Sequence, residues 1–132
     1  MKRITLYTLR YQTELTSFAE NIKDICTVEP SKNGFLVSWE LTNTAPFANR
    51  LLEFLQNIAL LENPIFKHSS KLKNIVGDLK EINEQELLSL NHYIKTNKEM
   101  NLEGYVAFRL TEYKEKLDSL LYSWIRKINR SK

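Results

Sequence analysis

The chain has little of what catalytic and metal-binding sites are usually made from. It holds a single cysteine, Cys26, so no internal disulfide can form and a reducing, cytoplasmic setting is expected. Its two histidines, His68 and His92, have no cysteine or carboxylate at ligand spacing around them. With Cys26 they make three nitrogen or sulfur ligands in all, where a structural zinc takes four. The three glycines are isolated, so neither a GxGxxG turn nor a Walker-type phosphate loop can be built. No apolar run approaches the ~20 residues that cross a bilayer, and the N-terminus alternates in polarity instead of presenting an apolar signal segment. Charge of one sign is also scarce. The 19 basic and 16 acidic residues leave a net charge of +3, too little to imply nucleic acid. The carboxylates Glu84, Glu86, Glu112 and Glu115 fall among polar helix positions and read as solvated. Cys26, beside Ile25 and Val28, reads as a small buried hydrophobe. No catalytic residue, cofactor or metal is expected, and an enzyme is not the expectation.

What is present is ordinary globular material. Hydrophobic residues make up 42% and charged residues 27% of the 132, enough for one domain with a real core. Residues 3–9 alternate, with Ile4 and Leu6 on one face, which is a strand pattern. Leu15, Phe18, Ala19, Ile22 and Ile25 have helical spacing over 14–25, with Thr13 as the cap. Cys26 to Glu29 reads as a short strand. Residues 30–34 then read as a hairpin turn in which Asn33-Gly34 supplies positive φ. Phe35, Val37, Trp39 and Leu41 alternate as a half-buried strand. A broad apolar stripe of Phe47, Leu51, Phe54, Ile58 and Leu61 marks a buried helix that starts near Asn43 or Thr44, carries Pro46 early and ends at Asn63-Pro64.

The second half reads as helical. Leu72, Ile75, Val76 and Leu79 have helical spacing around an unfavourable Gly77. Asn83 to Glu86 has the spacing of a capping box ahead of Leu87, Leu90 and Ile94. A last helix is expected from Leu102 to Asn129, ~40 Å long at 1.5 Å per residue. Its stripe is Val106, Leu110, Tyr113, Leu117, Leu120, Leu121, Trp124 and Ile128. The predicted fold class is therefore α+β. A small β-α-β-β sheet and a helix fill 1–64, and a helical region with one long terminal helix fills 65–132, all in one domain.

Candidate functional residues cluster on that last helix. Gly104 and Phe108 stack on its back face, opposite the main stripe, and Tyr122 lies on the same side further on. The first third of the helix is expected to be buried nearly all round. Gly104 would let another backbone approach. The commoner fate of such a face is a second packing layer; the functional reading is a docking surface for a protein partner or a second copy. Arg109 sits beside the stripe, three residues before Glu112. An internal salt bridge is the preferred reading, and an anion site is the alternative. Arg126, Lys127, Arg130 and Lys132 could neutralise phosphates of a nucleic acid, although cations at a helix C-terminus also complement its dipole.

The stretch Asn101 to Tyr113 resembles the most recognisable segment of the YtxC-like sporulation proteins of spore-forming bacteria. There a Glu-Gly-aromatic-x-x-Phe-Arg-Leu-x-x-Tyr pattern opens a C-terminal helical region; here Glu103, Gly104, Tyr105, Phe108, Arg109, Leu110 and Tyr113 supply it. The resemblance implies a bacterial, sporulation-linked setting and a helical second half, and it carries over no catalytic residue. Members of that family are considerably longer, so this chain would be a compact or truncated version.

Overall fold

A computed structural model describes residues 1–61 and 80–110, together with Glu115, Ser119, Tyr122, Ser123, Arg126 and Arg130. Among them the element order is β1 (Lys2–Tyr7), α1 (Gln12–Asn21), β2 (Thr27–Ser31), β3 (Gly34–Trp39), α2 (Thr44–Leu61), α3 (Lys80–Thr96), β4 (Glu99–Asn101) and α4 (Leu102–Arg109). The class is α+β, as the periodicities predict. The sheet runs in the order β2-β3-β1-β4. β1 pairs antiparallel with β3, in a register that sets Ile4 opposite Val37 and Tyr7 opposite Gly34. On its other side β1 pairs parallel with β4, Leu6 opposite Met100. Strand is therefore not confined to the first half. Residues 99–101, in the half that reads as helical, close the sheet's second edge, where Met100 joins the same buried cluster as Ile4 and Leu6.

The hairpin differs from expectation in detail. Pro30 and Ser31 belong to β2, and the turn is only Lys32-Asn33. Asn33 alone takes positive φ, at 60°, and no glycine does. Ser31 and Gly34 flank the two-residue loop, so Pro30, opposite Phe35, falls at a position whose N–H would point away from β3. Proline costs no ladder bond there, and it blunts the open edge of β2. Gly34 is required by close packing: a Cβ on it would collide with the Leu6 carbonyl and lie 2.7 Å from Tyr7 Cα.

α1 starts one residue before Thr13, and Tyr11 is its N-cap without a side-chain capping bond. Thr13 thus lies inside the first turn. The orphan N–H of Tyr11 is met by Thr8 Oγ1 at 2.9 Å instead. The helix ends at Asn21 because Ile25 and Cys26 both donate to the Ile22 carbonyl and curl the chain toward β2. Leu41 lies beyond β3, in a 3-10 turn, and is exposed. α2 begins at Thr44 as expected, and its Phe47, Ala48, Leu51, Leu52, Leu55, Ile58 and Ala59 are buried. They pack in one cluster with Ile4, Leu6, Val37 and Trp39 from the sheet and with Leu90, Ile94, Leu102, Val106 and Leu110. Trp39 stacks on Phe47 at 4.3 Å between centroids, and its indole N–H donates to Thr44 Oγ1 at 3.1 Å. Strand β3 and the start of α2 are so fixed to each other by apolar contact and by satisfaction of a polar group.

α3 is already helical at Lys80, so Asn83 lies within it and the capping-box spacing does not mark its start. The helical spacing of Leu72 to Leu79 falls outside the described residues. α4 begins at Leu102 as predicted, capped by Asn101, whose Oδ1 accepts from Gly104 N at 3.0 Å. It does not run on as an unbroken rod. Leu110 leaves helical geometry at φ −99°, ψ 17°, with its side chain fully buried. No Gly or Pro stands there, so the demand of the core for that leucine sets the bend. Beyond it Glu115, Ser119, Tyr122, Ser123, Arg126 and Arg130 are helical and exposed. The remaining stripe positions from Tyr113 to Ile128 lie outside the described residues.

Candidate functional site

A cleft of about 500 Å3 lies between α3 and α4. α3 brings Glu86, Ser89, His92, Tyr93 and Thr96 to it, with Asn97 just past the helix end; α4 brings Tyr105, Phe108 and Arg109. The spacings explain the gathering. Residues 86, 89, 93 and 96 rise along one helix face, and 105, 108 and 109 form one patch of the other.

Tyr105 and Glu86 make the floor, at 5% and 8% exposure. Glu86 corrects the expectation of a solvated carboxylate, because α3 turns this position inward beside Tyr105; Glu84 and Glu115 are exposed as expected, and Glu112 is outside the described residues. Tyr93 forms a half-buried wall, edge-on to Tyr105 with centroids 5.1 Å apart at 79°. Its hydroxyl donates to the Glu99 carbonyl at 3.2 Å, which ties α3 to β4. Asn97 Nδ2 donates to the Tyr93 carbonyl at 3.1 Å and Thr96 Oγ1 to the His92 carbonyl at 2.9 Å, so the end of α3 is closed by its own side chains.

Burial pushes the Tyr105 hydroxyl up to about 12; the Glu86 charge adds to this and the Arg109 charge opposes it. Burial also raises Tyr93, again against Arg109. Both phenols are therefore neutral hydrogen-bond donors at physiological pH. The Arg109 guanidinium lies within electrostatic range of both.

The predicted site residues are distributed as follows. Phe108 is 84% exposed, so the first third of the helix is not buried nearly all round. Leu102, Tyr105 and Val106 face the core while Ala107, Phe108 and Arg109 face out. Gly104 is half-buried, and among the described residues the nearest atoms a Cβ there would meet are those of the Asn101 side chain, at an ordinary 3.7 Å. Arg109 is exposed and makes no ion pair among the described residues. The expected partner Glu112 lies outside them. Tyr122 is 59% exposed, so α4's back face and Tyr122 are both open to solvent. Arg126 and Arg130 are exposed four positions apart on helical backbone. Lys127 and Lys132 lie outside the described residues, as does His68.

Sequence reasoning missed two polar clamps. Glu103 Oε1 accepts from the Thr8 hydroxyl and, at 2.8 Å, from Arg10 N. The first turn of α4 thereby holds the β1–α1 loop. Asp24 receives both guanidinium arms of Arg50, at 2.6 and 2.9 Å, and Arg50 also donates to the Asn21 carbonyl at 3.0 Å. This hydrogen-bonded pairing holds the Asp24 carboxyl below the usual carboxylate range. Partners 93 and 26 positions apart leave no local pattern, so only the fold could reveal them. Arg50 also borders a second, more apolar cavity of about 610 Å3 between α1 and α2, floored by the stacked Phe18 and Phe54 rings at 4.6 Å. Cys26 is free and buried, its thiol pushed up to about 11 by burial.

Among the described residues no group of His, Cys, Asp and Glu could hold a metal ion, and no helix is long and apolar enough to cross a membrane. No family model, curated protein or solved structure matches the chain.

Proposed function

We propose that this chain is a non-enzymatic protein-interaction or regulatory module that meets its partner through the outer face of α4. The observation that carries the reading is Phe108, a large aromatic left 84% exposed next to Arg109, whose guanidinium has no ion pair among the described residues. Aromatic and arginine side chains are the types that dominate binding energy at interfaces. A module that recognises and does not react needs no activated nucleophile, and the buried, protonated thiol of Cys26 is consistent with that. The resemblance of residues 101–113 to the YtxC-like proteins gives the setting to examine, a sporulating bacterial cytoplasm.

The test is affinity capture from sporulating cells with the unmodified chain and with Phe108→Asp. The substitution is at an exposed position, so the fold is retained while a docked partner is lost. Capture of the same proteins by both chains would refute the role of this face.

A second reading, nucleic-acid binding through the basic C-terminal residues Arg126, Lys127, Arg130 and Lys132, is favoured by the exposure of Arg126 and Arg130 one helical turn apart. Binding by four phosphate contacts would fall with a slope of about −4 in log K against log salt on duplex DNA. A flat salt dependence would dismiss it.

A further inference from the structure

The α3/α4 cleft combines three features that a plain surface furrow lacks. Its floor holds a hydroxyl donor, that of Tyr105, in a side chain 95% buried, and no hydrogen-bond partner meets that hydroxyl among the described residues. Buried polar groups are almost always satisfied, by protein or by water, so a donor in the lining of a cavity offers a hydrogen bond to whatever fills it, a ligand atom included. Its rim holds one cation, Arg109, without an ion pair among the described residues. Its lip is the exposed Phe108 ring, and Tyr93 supplies an aromatic wall. The volume, about 500 Å3, is that of a small-molecule site.

From these we infer that the cleft binds a small organic carboxylate with an aromatic or aliphatic body. The carboxylate is held by the Arg109 fork and the Tyr105 hydroxyl, and the body lies against Phe108 and Tyr93. The planar guanidinium matches a carboxylate's two oxygens. A phosphate dianion fits less well, because a single cation faces it, Glu86 lies in the floor, and no glycine-rich backbone supplies extra N–H groups. An amine is disfavoured by Arg109 at the mouth, and Glu86 is already engaged in another interaction. This goes beyond the docking reading: the ligand is a small molecule, and on a regulatory module it would be the signal that the module senses.

The experiment is an NMR titration of the full chain with phenylacetate, phenylacetamide, phenethylamine and inorganic phosphate. Phenylacetate is expected to shift the Arg109 side-chain and Ala107–Arg109 amide signals saturably, with a Kd on the order of 1 mM for so small a probe. Arg109→Gln should weaken it at least about tenfold. Tyr105→Phe, which keeps the ring and loses only the hydroxyl, should weaken it by about fivefold. Phenylacetamide, phenethylamine or phosphate binding as tightly as phenylacetate overturns the inference. So does unchanged affinity in Arg109→Gln, or no saturable shift up to about 50 mM phenylacetate. The two readings separate cleanly. Failure of phenylacetate with capture still lost in Phe108→Asp removes only the pocket. Binding of phenylacetate with capture unaffected by Phe108→Asp removes only the docking face.

Discussion

Gly34 and Gly104 carry the same side chain for different reasons. At Gly34 the Leu6 carbonyl and Tyr7 Cα occupy the space a methyl group would need, and both are backbone atoms of the paired strand. Gly34→Ala should therefore push β3 from β1 and cost about 3 kcal/mol, seen as a fall in the urea midpoint. At Gly104 the nearest atoms are an ordinary 3.7 Å away and belong to the Asn101 side chain. Gly104→Ala should leave stability unchanged or raise it by up to about 1 kcal/mol, the helix propensity difference. If both changes proved equally harmful, the packing described around β3 would be wrong. Cys26 gives a third residue-scale expectation. Burial takes its thiol from 9.0 to about 11, so at pH 8 the native chain should react with a disulfide reagent about a hundredfold more slowly than the unfolded chain. Equal rates would mean an accessible, ionisable thiol.

Between elements, the most consequential link joins the start of α4 to the loop after β1. Thr8 is fully buried; its hydroxyl donates to Glu103 and accepts the Tyr11 N–H that opens α1. One hydroxyl thus fastens α1, β1 and α4 together, and Glu103 adds a bond to Arg10 N. Thr8→Val keeps the shape and removes the hydroxyl, leaving a helix-opening N–H unmet. It should cost about 1–3 kcal/mol and speed hydrogen exchange at Tyr11. Thr8→Ser should recover most of the loss, and an equal loss in both would point to packing instead. The Glu of the Glu-Gly-aromatic pattern accordingly has a structural task, and so does the aromatic, since Tyr105 packs on Tyr93. Among the described members of that pattern, Phe108 and Arg109 are the ones left facing solvent.

For the molecule as a whole, the shifted groups set a pH window. Cys26 and Tyr105 keep their protons in the folded state to about 11 and about 12, above their ordinary 9.0 and 10.0. Above pH 9 the unfolded chain releases protons that the folded chain retains, so stability falls with rising pH. At the acid end the sign reverses: Asp24 is lowered by Arg50, so its contribution is present above its ordinary 3.8 and fades as pH drops below it. The urea midpoint should be flat near neutrality and decline from about pH 9, and Tyr105→Phe should flatten that decline. A midpoint unchanged up to pH 11 would contradict the burial of both groups. The strands β1 and β3, helix α2 and the start of α4 were legible because each spans several residues with a period of two or 3.6, and burial of one face follows from that period whatever the partner. Cys26 was legible as buried for a similar reason, lying next to apolar neighbours. Strand β4 was not, since it contributes one apolar side chain, Met100, and exists through parallel pairing with a strand more than 90 positions earlier. Nor was the bend at Leu110, where no local breaker stands, nor the inward turn of Glu86. The sequence alone determined which faces are apolar and which chemistries lack their residues. Only the tertiary structure decided which of those faces are covered, because covering depends on which distant elements meet. It thereby left Phe108 and Arg109 at the mouth of a cleft floored by a buried tyrosine.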